Sequence, residues 1–75
     1  MDVNNFETFE PEEYQALLKE FGVSKFSDLV GKSVYYSKRE YGEHVILKWD
    51  PERAEYLLQT GPHKFWSNPF RIKIL

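Results

Sequence analysis

The chain contains no cysteine. Neither a disulfide nor a thiolate metal site can therefore brace it, and the missing thiols suit a reducing compartment. Long apolar runs are also missing: no stretch approaches the roughly 20 residues that a membrane-crossing helix needs. The opening residues, MDVNNFETFE, are acidic and polar, unlike a signal or transit peptide. A soluble, cytoplasmic protein without membrane attachment is expected. Histidine is scarce, and His44 and His63, the only two, have no second ligand at helical or strand spacing. A zinc site needs three or four ligands, usually drawn from closely spaced pairs, so both are expected to be ordinary surface or half-buried side chains.

Recognisable catalytic patterns are absent as well. Ser24, Ser27, Ser33, Ser37 and Ser67 lie in no nucleophile-elbow sequence and have no evident base partner. Gly31-Lys32-Ser33 ends like a phosphate loop, but the upstream glycine spacing is missing and a strand follows where a helix should. The carboxylates gather at helix starts, where the dipole and solubility explain them. No catalytic, metal or cofactor residue is assigned, and a non-enzymatic protein is expected.

What is present fits one small domain, residues 1–75. A chain of 75 residues buries only about 60 to 65% of its unfolded surface. Its aromatic content of 17% supplies large buried areas and leaves rings over for an interface. The formal charge of −2 hides an asymmetry. Residues 1–21 hold six acids against Lys19 alone, a balance of −5, whereas residues 22–75 carry +3.

Along the chain, residues 1–8 lack periodicity and read as a flexible lead. Pro11 then suits the first position of a helix over Pro11–Phe21, with Glu12 and Glu13 in its first turn. Phe9 and Tyr14 have hydrophobic-staple spacing, and Tyr14, Leu17, Leu18 and Phe21 share one face. Residues 24–30 read as a short helical turn. Val34-Tyr35-Tyr36 and residues 44–49 (HVILKW) read as strands joined by a polar loop containing Gly42. The Val45, Leu47 and Trp49 side is expected to face the core. Asp50 as N-cap, Pro51, Glu52 and the stripe Ala54, Leu57 and Leu58 predict a helix over 51–60, stopped by Gly61-Pro62. Residues 63–69 (HKFWSNP) look like a loop. FRIKIL alternates, so Phe70, Ile72 and Ile74 are expected inward.

The predicted architecture is α+β, a three-stranded, mainly antiparallel sheet packed against two helices in the order α-α(short)-β-β-α-β. Its predicted core is Tyr14, Leu17, Leu18, Phe21, Leu29, Val34, Val45, Leu47, Ala54, Leu57, Leu58, Ile72 and Ile74.

Two surface features bear on function. Tyr35, Tyr36, Arg39, Tyr41 and Trp66 have the composition of a protein interface, where a few aromatics and arginines dominate binding. They predict a small protein-interaction module (an inhibitor, adaptor or subunit of a larger complex) whose partner is another protein or a second copy. Lys38, Arg39, Lys64, Arg71 and Lys73 among aromatic neighbours give the alternative, a nucleic-acid-binding protein that pairs cations with phosphates and stacks bases on rings. A domain acidic overall favours the first reading.

Residues 45–58, VILKWDPERAEYLL, resemble the strand-into-helix segment of MmcQ/YjbR-type proteins, in which a lysine-bearing strand runs into a D-P-E-x-A-x-x-L helix. Gly31-Lys32 before a strand, and Lys64 before Trp66, are similar to further elements of that family. The resemblance implies a strand–helix unit over these residues and, by fold analogy, DNA binding. It assigns no catalytic residue.

Overall fold

A computed structural model describes residues 9–75; the lead expected over residues 1–8 lies outside them. One helix, α1 (Pro11–Phe21), precedes five strands: β1 (Ser33–Tyr36), β2 (Glu43–Asp50), β3 (Glu55–Thr60), β4 (His63–Ser67) and β5 (Ile72–Ile74). Short 3-10 turns occupy Phe26–Leu29, Arg39–Tyr41 and Pro69–Arg71. All strand pairs are antiparallel, in the order β4-β3-β2-β1-β5.

Residues 68–71 alone connect β4 at one edge of the sheet to β5 at the other. Four inter-strand spacings in a flat sheet span about 19 Å. Five residue steps reach about 17 Å at full extension, and this connection contains a 3-10 turn. The sheet must therefore curl until its edges approach, giving a small, half-open barrel with an inner and an outer face.

Helix α1 forms as its residues dictate. Glu13 accepts the Glu10 N–H at 2.8 Å, and Phe9 meets Tyr14 edge-on at 5.9 Å. At the other end Gly22, at φ 73°, lets the amides of Gly22 and Val23 turn back onto the Leu18 carbonyl. Leu17 and Phe21 thereby join Leu29, Val34, Ile46, Tyr56, Leu58 and Ile72 in the core. Tyr56 is completely enclosed, and its hydroxyl donates to the Phe26 carbonyl at 2.7 Å. Residues that β1 and the predicted core share with the sequence reading, such as Val34 and Leu58, are in place.

The two-helix, three-stranded arrangement is overturned: the fold stays α+β, with one α-helix and five strands among the described residues. Residues 51–60 decide the difference. Asp50 does cap, accepting the amides of Glu52 at 2.9 Å and Arg53 at 3.2 Å, but it caps a single turn. Ala54 then enters the left-handed region at φ 55°, which ends any helix. From Glu55 the chain alternates, with Tyr56 and Leu58 buried and Leu57 half-buried. Leu57 and Leu58 satisfied the helical and the strand period alike, and only six residues remained before Gly61-Pro62. That is short for a helix and ordinary for a strand. Gly61-Pro62 is a two-residue hairpin loop between the paired Thr60 and His63. Gly61 takes the positive φ of 56° at its first position.

Further expectations change with it. HKFWS is strand β4, not a loop. In β2 the register shifts between Ile46 and Lys48. This bulge lets Ile46 and Trp49, three residues apart, both face inward, while Val45 is 39% exposed. The expected Val45-Leu47-Trp49 core face is therefore wrong at Val45, and Leu47 is only half-buried. Ile74 is exposed at the end of β5, and Ile46 and Tyr56 occupy the core in places assigned to other residues.

Candidate interaction surface

Helix α1 contributes Leu17 and Phe21 to the inner side of the barrel, and among the described residues no element covers the outer face. Residues directly opposed across a sheet share a face, so the register defines this surface. Trp66 lies beside Leu57 and Lys48. Lys64 continues through Gln59 and Val45 to Ser33. Tyr35 sits between Glu43 and Lys73. The hairpin aromatics and the basic tail are thus adjacent in the β1–β5 pair, whereas Lys64 and Trp66 lie across β2 and β3 on the same face.

Two arginines lie over its rings. The Arg39 guanidinium stands 5.3 Å above Tyr35. The Arg53 guanidinium stands 4.4 Å above Trp66, and its Nε contacts Glu55 Oε1 at 3.4 Å. Cation–π contacts of this kind hold the rings in place at a half-exposed surface. Tyr41 projects from the 3-10 turn beside β1 and is 56% exposed. Lys38 is exposed in the same loop. The Ser37 amide donates to the Arg71 carbonyl at 2.7 Å, which ties that loop to the turn preceding β5.

The bases of the outer face are Arg39, Lys48, Arg53, Lys64 and Lys73, set against Glu43, Asp50 and Glu55. The exposed acids Glu12, Glu13 and Glu20 are on α1. Part of the asymmetry visible along the sequence is therefore kept in space: the helix carries mainly acids, and the outer sheet face carries more cations than acids.

Tyr36 does not belong to this surface. It shares the inner side of β1 with Val34 and packs against Phe65 at 4.9 Å and His44 at 5.6 Å. Strand alternation explains the exclusion, since neighbours Tyr35 and Tyr36 must point to opposite faces. Val45, Lys48, Arg53 and Leu57 do belong, though none was a predicted site residue. The sequence pattern assigns Val45 and Leu57 to the core, and only the bulge and the β3 alternation bring them out.

His44 is 3% exposed, with Nδ1 3.1 Å from the Gly42 carbonyl oxygen. A carbonyl only accepts, so Nδ1 carries the proton. His63 is exposed at the start of β4. Among the described residues, no three His, Cys, Asp or Glu side chains converge on a point. No described helix is long and apolar enough to cross a membrane.

No protein-family model, curated protein or solved structure matches the chain. Residues 45–58, on which the resemblance to MmcQ/YjbR-type proteins rests, form strand, turn and strand rather than strand and helix.

Proposed function

We propose that this is a small, non-enzymatic protein-interaction module that docks an acidic protein surface on the outer face of its barrel. One observation carries the reading. Tyr35, Val45, Leu57 and Trp66 share a face that no described element covers, among Arg39, Lys48, Arg53, Lys64 and Lys73. Fixed aromatics with arginines are the usual anchors of protein interfaces, and the excess of cations selects a partner of opposite charge. A cytoplasmic setting belongs to the same proposal, supported by the absence of cysteine.

The cation row on that face also suits nucleic acid, which gives the second reading. Base stacking requires bare rings, however, and Tyr35 and Trp66 already carry guanidinium groups. Titration of single- and double-stranded oligonucleotides separates the two. Counterion release demands a salt-dependent affinity if nucleic acid is the ligand, and the protein-interaction reading expects no such binding at moderate salt.

Affinity capture from the native host tests the first reading with two paired variants. Tyr35→Ala with Tyr41→Ala should lose a partner that wild type retains, and Glu12→Gln with Glu20→Gln should keep it. Equal retention by both pairs, or a monomer that retains nothing, would contradict the proposal.

A further inference from the structure

We propose that a cleft beside the free edge of β2 takes an extended peptide segment carrying a large apolar side chain next to a carboxylate. This inference rests on the protein-interaction reading and names the occupant of one part of that face.

The cleft arises because β1 accompanies only half of β2. Ser33 to Tyr35 pair with Val45 to Glu43, and the backbones of Gly31 and Lys32 bond to Ile46 at 2.7 and 3.0 Å. There the chain turns away. Among the described residues, 47–50 consequently have β3 on one side and no strand on the other. The 3-10 turn Phe26–Leu29, followed by Val30, stands across the gap. Between them lies an open cleft of about 460 Å³, its apolar walls formed by Val30, Leu47, Pro51 and Trp66.

Three properties specify what fits. An unaccompanied strand edge offers main-chain groups to a second extended strand, and alternate pockets then select its side chains. Val30 is 41% exposed at the rim, so the apolar wall is open to an incoming side chain. Two charged side chains line the cleft, Lys48 and Asp50, and of these only the cation lacks a partner among the described residues. The Asp50 carboxylate is already engaged by the amides of Glu52 and Arg53. Lys48 lines the cleft, is exposed, and has no ion pair or hydrogen bond among the described residues. A carboxylate beside the anchoring side chain would pair with it.

Both tryptophans of the chain, Trp49 and Trp66, line the cleft, so occupancy is readable from intrinsic fluorescence. The full chain would be titrated with the peptide acetyl-Glu-Phe-Glu-Val-Glu-amide and with its counterpart bearing lysine in place of every glutamate. Backbone amide shifts would locate the contact. The acidic peptide should shift fluorescence saturably and move the amides of residues 27–30 and 47–50. It should act at about tenfold lower concentration than the basic one, and Lys48→Glu should reverse that order, as charge complementarity at one contact allows. Equal responses to the two peptides, no saturable change at millimolar concentration, or shifts confined to His63–Ser67 would overturn the proposal. So would the same shifts on adding an oligonucleotide, or a peptide-independent change accompanied by dimerisation in sedimentation. Partner capture sensitive to Tyr35 and Tyr41, with no peptide response, would remove this inference alone. A peptide response without such capture would remove the broader reading instead.

Discussion

The sharpest test of the fold is the substitution Ala54→Gly, because the two readings of residues 51–60 predict opposite signs. Ala54 sits at φ 55° immediately after the turn capped by Asp50. An L-residue in that region costs about 1–2 kcal/mol relative to glycine. Glycine also gives the unfolded chain more freedom, which takes back about 0.4–1 kcal/mol. The balance is a stabilisation of about 0.5–1 kcal/mol. In the interior of a helix the same change removes the best helix former for one of the worst, a loss of about 1 kcal/mol. A urea melt of both proteins at equal slope resolves the sign. A midpoint lowered by the equivalent of 1 kcal/mol would refute the turn and restore the helix.

The alternation of β3 orders a further pair: Leu58→Ala, at 0% exposure, should cost about 2–5 kcal/mol. Leu57→Ala, half-buried on the outer face, should cost about half of that or less in the same melt; equal losses would contradict the strand. Asp50→Ala removes the acceptor for two backbone amides and should cost about 0.5–2 kcal/mol, as loss of a cap does. Tyr56→Phe leaves the Phe26 carbonyl without its donor and should cost about 1–3 kcal/mol. Burial, reinforced by the Asp28 carboxylate, holds the Tyr56 hydroxyl well above the usual tyrosine range. The unfolded chain loses that proton at about pH 10 while the folded state retains it. Stability from this group is therefore full below that pH and declines as pH rises further. Chemical melts from pH 8 to 11 should show a shallower alkaline decline in Tyr56→Phe, and an unchanged slope would contradict the burial.

Several elements were legible in the sequence because independent signals agreed on them. Pro11, the Phe9–Tyr14 pair, the four-residue apolar stripe and Gly22 all specify the same helix. The β1–β2 hairpin likewise followed from its composition and polar loop. Residues 51–60 misled because one short stretch met two periods at once. Its N-cap signal was real but extended for a single turn, since nothing in the sequence marks Ala54 as left-handed. The β2 bulge is hidden for a similar reason. Inserting one residue reverses the face of everything beyond it, so Val45 and Ile46 exchanged roles.

For the surface, Tyr35, Arg39, Tyr41, Lys64, Trp66 and Lys73 were readable as an aromatic and basic set. Their meeting on one face depends on the order β4-β3-β2-β1-β5, which brings the final strand back beside the first. Tyr36 was separable from Tyr35 by strand alternation alone.

Because the chain has no cysteine, single thiols can be placed at will, and a photo-crosslinker on each reports what touches that position. Ser33→Cys is a conservative change on the outer face, at the end of the row that includes Val45, and Gln15→Cys lies on the exposed side of α1. In extracts of the native host, the label at position 33 should give one discrete adduct that excess unlabelled wild type suppresses and excess Tyr35→Ala/Tyr41→Ala protein does not. The label at position 15 should not give that adduct. Adducts of the same mass from both positions, or from position 15 alone, would contradict the assignment of the outer sheet face as the site of interaction.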